Sequence, residues 1–161
     1  MMERVNRILA NESYRAYRLA IDQWEQDRIY CRHDVGHLMD VARLAMIINN
    51  EENLFVSKEL IYSAALLHDC GRHIQYESGK PHEIASAELA EPILRDCGFE
   101  EEEILHILQA IRLHRNEEEA LRYPLAGLIY RADKKSRLCF FCNASDTCHK
   151  KEESRNLFLT L

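Results

Sequence analysis

Glycine and proline are scarce in this sequence, with 5 Gly and 3 Pro among 161 residues. This scarcity excludes a collagen-like chain and a low-complexity Pro/Gly segment. Hydrophobic residues account for 47% of the chain and charged residues for 30%, which is the balance of a soluble globular protein. We therefore expect a mainly helical protein that folds as one domain over residues 1–161.

Long apolar runs and an excess of basic residues are also missing. No stretch approaches transmembrane length, and the start of the chain lacks the apolar segment of a signal peptide. We expect a cytoplasmic protein with no membrane partner, in which the six cysteines are reduced thiols or metal ligands. The net charge of -6 argues against general nucleic-acid binding but is compatible with a single phosphate pocket.

The most informative stretch is residues 64–72, AALLHDCGR, where a histidine and an aspartate stand side by side after an apolar run. Ile61, Ala64 and His68 fall at helical spacing, so the imidazole shares the face that packs into the core. A buried Asp69 requires a compensating charge, dense hydrogen bonding or a metal ion. Gly71 then predicts a helix end, which places the pair beside a pocket.

Other apolar stripes also lead to a histidine or contain an acid. Ile107 and Ile111 precede His114 at helical spacing, and Asp133 follows Ile129 by four residues. Two more histidines stand at the starts of predicted helices. Metal-competent side chains thus recur on five helices or helix starts: His33, His68, Asp69, His82, His114 and Asp133.

This set of residues indicates a particular chemistry. Imidazole and carboxylate ligands suit iron, manganese, zinc or nickel, and a shared carboxylate can bridge two ions about 3.5 to 4 Å apart. Two such ions polarise a phosphoryl oxygen and supply a nucleophile. Arg72 follows the His-Asp pair and Lys134 adjoins Asp133, so both are placed to meet a phosphate. We therefore expect catalytic roles for Asp69, Arg72 and Lys134.

The remaining histidines have simpler interpretations. His37 lies one turn after the first of the set, and we expect a core or supporting histidine there rather than a ligand. His73 and His106 are expected at the surface. For His82 and His114 the alternatives stay open, because an exposed helix-start histidine and a helix-end histidine favoured by the dipole need no metal.

The order His33, His68-Asp69, Asp133 resembles the HD superfamily of metal-dependent phosphohydrolases. The similarity spans about residues 31–137 and is carried by Arg32-His33 with VAR at 41–43, LLHDCGR at 66–72 and YRADK at 130–134. The resemblance implies an all-α helical bundle. It also implies that one metal ion is held by His33, His68, Asp69 and Asp133.

Two further segments are similar to the small branch that includes the HD-type bis(5'-nucleosyl)-tetraphosphatases. They are HEIASAEL at 82–89 and AIRLH at 110–114. In the binuclear members His82 and His114 would complete a second site and Asp69 would bridge. The resemblance implies a metal-dependent phosphohydrolase that acts on a nucleotide or other small phosphoester through metal-activated water.

Two rival functions remain at this stage. One is a catalytically silent metal-binding module that senses a nucleotide or a protein partner. The other is a purely structural zinc site, which would leave no coordination position for water. Substrate choice is expected to depend on the loops at 75–80 and 115–122, and nothing in the sequence constrains the oligomeric state.

The C-terminal tail, residues 138–161, is rich in cysteine. A Cys-x-x-Cys pair with a third thiolate and an imidazole meets the needs of tetrahedral zinc. The alternative is a tail of reduced thiols packed with two phenylalanines. The zinc interpretation involves Cys139, Cys142, Cys148 and His149.

Overall fold

The computed structural model describes residues 2–160, and within that range it contains helices and loops but no strand. The all-α fold class predicted from the sequence is confirmed. None of these helices is long and apolar enough to span a lipid bilayer. The helices are α1 (Glu3–Ala10), α2 (Glu12–Trp24), α3 (Val35–Glu51), α4 (Lys58–Leu67), α5 (Arg72–Ser78), α6 (His82–Asp96), α7 (Glu101–Leu113), α8 (Glu117–Ala120) and α9 (Pro124–Lys135), followed by short 3-10 helices at Cys139–Phe141, Ser145–Thr147 and Glu152–Ser154.

Helix α4 lies at the centre of the bundle and carries the His-Asp pair at its C-terminal end. Its side chains Ile61, Ala64 and Leu66 are fully buried. The helix packs against α1, α3, α6, α7 and α9, while α3 and α7 also pack against α9. Burial of a side chain such as Ile61 contributes about 1.5 to 3 kcal/mol, so α4 is held firmly in place.

Polar caps fix the helices that surround α4. The Asp34 carboxylate accepts a hydrogen bond from the His37 backbone N–H at 2.9 Å, and α3 therefore begins at Val35. Glu100 and Glu103 form a reciprocal capping box at the start of α7. His33 consequently precedes α3, and it does not lie on that helix's wheel as the periodicity suggested.

The two segments predicted as loops are partly helical. Residues 72–78 form α5, which packs against α2 and α6. The helix ends at Gly79, which adopts a left-handed φ of 77°. Residues 117–120 form the short α8, whose N-cap Asn116 side chain accepts a hydrogen bond from the Glu119 N–H at 3.2 Å. The flanking glycines and charges predict loops at both segments, and the sequence pattern does not reveal these short helices.

Candidate metal centre

The Asp69 carboxylate, 1% exposed, lies where the ends of several helices meet. His68 Nε2 is 3.3 Å from its Oδ2 atom. On the other side, His82 Nε2 and His114 Nε2 are 3.0 and 3.7 Å from Oδ1. Helices α4, α6 and α7 thus deliver three imidazoles to one buried carboxylate.

Two groups of metal-competent side chains share this carboxylate. His37, His68 and Asp69 form the first, and Asp69, His82 and His114 form the second; in each, the ligand atoms lie within 4.8 Å of one another. Asp133 adjoins the first group, because its Oδ1 is 3.5 Å from His37 Nε2 and 4.0 Å from His68 Nε2. The arrangement offers two adjacent sites with one carboxylate between them.

The backbone fixes the orientation of two of these imidazoles. His68 Nδ1 is 2.7 Å from the Ala65 carbonyl oxygen, and His114 Nδ1 is 2.7 Å from the Ile111 carbonyl oxygen. A carbonyl only accepts hydrogen bonds, so each Nδ1 carries the proton. Nε2 is therefore the ring nitrogen that each imidazole can offer to a metal ion beside Asp69.

Side chains fix the orientation of two other imidazoles, those of His82 and His37. His82 Nδ1 lies 2.7 Å from Gln75 Oε1, an acceptor supplied by α5. His37 Nδ1 lies 3.2 Å from the Ser136 hydroxyl, which itself donates to the Asp133 carbonyl oxygen at 2.8 Å and so accepts from the imidazole. In both cases Nε2 again carries the lone pair.

His33 is held by a buried glutamate at the edge of the site. Glu25, 4% exposed, accepts hydrogen bonds from His33 Nδ1 at 2.5 Å and from the His33 backbone N–H at 2.7 Å. The Tyr76 hydroxyl donates to the same carboxylate at 2.5 Å. His33 Nε2 then points inward and lies 3.9 Å from Asp69 Oδ2, outside the two groups of three.

The chemistry of the donor set fits a divalent cation. His82 Nε2 and His114 Nε2 are 3.1 Å apart, and both carry lone pairs, an arrangement that is repulsive without a positive charge between or beside them. His37 Nε2, His68 Nε2 and Asp69 Oδ1 are buried and make no hydrogen bond. Metal coordination satisfies all of these atoms at once, and fixed Nδ1 partners are typical of metal-binding histidines.

Electrostatics favour the same conclusion. Burial, together with the positive charge of His68, lowers the pKa of His114 to about 3 and that of His37 to about 4. Burial also opposes a proton on His68, but the Asp69 carboxylate outweighs it and raises the pKa of His68. Burial alone raises the pKa of the Asp69 carboxyl, but His68 and Arg72 outweigh it and hold that pKa well below its usual range. The carboxylate is therefore charged at neutral pH, and the imidazoles of His37 and His114 are neutral, with no proton on Nε2.

The cations predicted to meet phosphate lie beside this centre. Arg72 Nε is 3.3 Å from Asp69 Oδ1, and Lys134 Nζ is 2.5 Å from Asp133 Oδ2. Both residues line a cavity of about 600 Å³ that also exposes His82 and His114. A ligand of nucleotide size fits a cavity of this volume.

All six predicted metal-site residues lie in this region, although His33 stands at its edge. His37, expected as a supporting histidine, lies inside the first group of three candidate ligands. The surface predictions differ in outcome: His106 is exposed, whereas His73 is half-buried and stacks on Tyr17. Residues that sequence reasoning missed are Glu25, Gln75, Tyr76 and Ser136, of which only Ser136 carried a signal, since it lies one helical turn after Asp133.

The predicted zinc site in the tail is not assembled. Cys139, Cys142 and Cys148 are free, partly exposed thiols. Within residues 2–160 the groups of three metal-competent side chains are the two around Asp69, and neither includes a cysteine or His149. The short 3-10 helices of the tail place these side chains along a cavity wall instead of around one point.

Comparison with known proteins agrees with the all-helical fold. The model of the HD domain family matches residues 34–138. The chain belongs to the HD domain family. A crystal structure of a predicted HD superfamily hydrolase from an uncultured Thermotogales bacterium superimposes with a TM-score of 0.65 at 23% identity, covering 91% of this chain and 80% of that one. That likeness establishes the HD fold.

The sequence relatives include one protein of matching length and two much longer proteins. An uncharacterized protein of Clostridium beijerinckii is 44% identical over 155 residues, which is 96% of this chain and 97% of that protein. Ribonuclease Y of Aquifex aeolicus is 35% identical over 104 residues, and ribonuclease Y of Acidothermus cellulolyticus is 34% identical over 90 residues. The chain matches only 17% and 16% of the lengths of these two enzymes.

Proposed function

We propose that this HD domain is a metal-dependent phosphohydrolase that cleaves a nucleotide or another small phosphoester. The observation that carries the proposal is the convergence of imidazole Nε2 atoms, each with its Nδ1 hydrogen bonded elsewhere, on the shared Asp69 carboxylate. The adjoining cavity of about 600 Å³ supplies the room for a substrate.

The side chains divide between two ion positions. His37, His68 and Asp133 would hold one ion, His82 and His114 would hold the other, and Asp69 would bridge. His33 would add a ligand from outside, since its Nε2 lies 3.9 Å from Asp69 Oδ2. Divalent ions bound in this way polarise a phosphoryl oxygen and activate water for attack.

Other residues would act directly on the substrate. The Arg72 guanidinium and the Lys134 ammonium, which line the cavity, would bind phosphate oxygens and balance the negative charge that grows on them in the transition state. The buried walls around Asp69 would exclude competing water. No covalent attachment of the substrate to the protein is required.

A phosphoester screen with added manganese, iron or nickel tests the activity. The panel includes nucleoside monophosphates, a bis(5'-nucleosyl)-tetraphosphate and, because two relatives are named ribonuclease Y, a short RNA. His68→Ala should lower the turnover of any accepted substrate by more than about a thousandfold. The exposed His106→Ala is the matched control and should leave turnover unchanged. A folded wild-type protein that binds metal but hydrolyses none of the panel would instead be a silent sensing module.

Elemental analysis of protein purified without a metal-affinity step tests the two ion positions. We expect close to two transition-metal ions per chain, and about one after His114→Ala. Parallel measurements on His33→Ala and His37→Ala rank these two histidines as ligands, and the larger loss is expected for His37 because it lies inside the first group of three. A single ion that is insensitive to His114→Ala would contradict the binuclear centre.

A further inference from the structure

The C-terminal tail forms one wall of the cavity and is fastened to the bundle. After α9 the chain leaves the helix and returns to it at Asn156. The Asn156 Nδ2 atom lies 2.9, 3.1 and 2.8 Å from the carbonyl oxygens of Lys134, Lys135 and Arg137, so its two N–H groups donate to three acceptors and one N–H is shared. These bonds satisfy the open C-terminal carbonyls of α9 and close the tail into a loop.

Two more side chains, Arg155 and Tyr30, hold the loop in position. Arg155 Nη1 donates to the Ser145 carbonyl oxygen at 3.0 Å, which joins the two arms of the loop. The Tyr30 hydroxyl donates to the Thr147 carbonyl oxygen at 3.0 Å, and its ring meets His149 edge-on at 5.4 Å. The next residue, Lys150, is therefore presented to the cavity by an anchored backbone.

The cavity is much more cationic than the chain as a whole. Eight of the 21 lysines and arginines line it, against three of the 27 acidic residues, in a protein whose net charge is -6. Four of these eight cations come from the end of α9 and from the tail: Lys134, Arg137, Lys150 and Arg155.

The cations at this end of the cavity have few partners. Asp133 lies 2.5 Å from Lys134 Nζ and 3.7 Å from Arg137 Nη2, so two cations share one carboxylate that the proposed centre also uses as a ligand. Within residues 2–160 no carboxylate oxygen lies within 4.0 Å of the Lys150 amine. Burial, with the charges of Arg137 and Lys134, lowers the pKa of Lys150, as expected where positive charge is not compensated.

We propose that Lys150 and Arg137 form a subsite for a second phosphate group of the substrate, separate from the phosphate that is cleaved. The inference rests on the proposed phosphohydrolase function, in which Arg72 and Lys134 bind the phosphate at the metal centre. A substrate with one phosphate would leave Lys150 without an anionic partner and Arg137 sharing Asp133 with Lys134, whereas a second phosphate neutralises both tail-side cations.

Binding of two non-hydrolysable or product-like probes to the manganese-loaded protein tests the subsite. The probes are methylenebisphosphonate, with two phosphonate groups, and inorganic phosphate, with one, titrated by calorimetry. Lys150→Gln should weaken methylenebisphosphonate about tenfold and phosphate less than about twofold, because one charge-assisted hydrogen bond is lost only with the larger probe. Chelation of free manganese by the probe is the same for every variant and cancels in the comparison.

Lys151→Gln is the matched control, since that side chain is 82% exposed and lies 3.7 Å from Glu153. It should leave both affinities unchanged. Equal losses for phosphate and for every two-phosphate probe in Lys150→Gln, or no loss for any probe, would overturn the subsite. Adenosine 3',5'-bisphosphate is a third probe, whose two phosphates are separated by a ribose. If Lys150→Gln weakens the binding of this probe selectively, the second phosphate of the substrate is separated from the first. If the loss of affinity is confined to methylenebisphosphonate, the two phosphates belong to one phosphoanhydride chain.

The binding measurement requires no turnover, so the two proposals fail separately. A selective Lys150 effect in a protein that hydrolyses no phosphoester would retain the subsite and refute the hydrolase. Turnover of simple phosphoesters with no selective Lys150 effect would retain the hydrolase and refute the subsite.

Discussion

The histidine cluster and the cysteine-rich tail both contain side chains that can bind metal, yet within residues 2–160 only the cluster assembles a candidate metal site. In the cluster, each ligand stands at or near the end of a helix that is packed against α4, and each imidazole has its Nδ1 fixed by an acceptor. In the tail, three cysteines stand on or beside short 3-10 helices and do not gather. Ligands converge where packing fixes the elements that carry them.

The strongest challenge to this comparison is Asp69→Asn, which removes the charge shared by both groups of ligands. We expect loss of both metal ions and a fall in phosphoester turnover of more than about a thousandfold. Elemental analysis and steady-state kinetics measure the two effects. The exposed Asp96→Asn serves as the control. Full metal content in Asp69→Asn would show that the carboxylate is not a bridge.

The same difference explains how much could be predicted from the sequence. The positions of His68, His114 and Asp133 could be predicted because an apolar helical stripe fixes the direction of a side chain three or four residues further on. The sequence pattern predicts a supporting role for His37 because it places His33 one turn earlier on the same helix, whereas α3 begins only at Val35.

The partners of the imidazoles were not predictable in the same way. Glu25 lies beyond the end of α2, and Gln75 and Tyr76 lie on α5, a segment whose glycines and polar residues predict a loop. Their contacts with His33 and His82 depend on how α2, α5 and α6 pack. Local periodicity carries no information on such long-range contacts.

Gly71→Ala tests the packing that brings α6 to the cluster. A Cβ at this position would lie 2.4 Å from the Ser86 backbone nitrogen and 2.7 Å from the Ala85 carbonyl carbon, so α6 must move. We expect a loss of about 3 kcal/mol in the free energy of unfolding, measured by urea denaturation. Gly127→Ala, whose Cβ would have its nearest neighbour at an ordinary 3.5 Å, should not destabilise the protein.

Metal content links this substitution to the site. His82 stands at the start of α6, so a displaced helix should also weaken the second ion position. A Gly71→Ala protein with wild-type stability and two bound ions would show that close packing at this position does not place His82.

Glu25→Gln tests a positioning residue, the carboxylate that holds His33 at the edge of the candidate metal centre. Burial alone raises the pKa of Glu25, but hydrogen bonds from His33 and Tyr76 outweigh it and lower that pKa to about 2. The carboxylate is therefore ionised throughout pH 5–8. We expect a 10- to 100-fold loss of metal affinity, typical of partners that orient a ligating histidine, and the loss should be the same at pH 5 and pH 8.

Tyr76→Phe is a less disruptive substitution at the same site, because it removes one hydrogen-bond donor to Glu25 and leaves the bond between Glu25 and His33 intact. A smaller effect on metal affinity is expected, and Glu25→Asp should restore part of what Glu25→Gln loses. Equal affinity in Glu25→Gln and wild type would place His33 outside the metal centre.

Cys142→Ser should have the smallest effect of these changes. The thiol is partly exposed and belongs to neither group of ligands, so metal content should not change and the free energy of unfolding should stay within about 0.5 kcal/mol of wild type. Elemental analysis and urea denaturation measure both quantities. Loss of one zinc ion per chain would show that the tail rearranges to bind metal. In that case cysteines on short, loosely packed elements would converge as histidines do on packed helices, and the contrast between the two regions would fail.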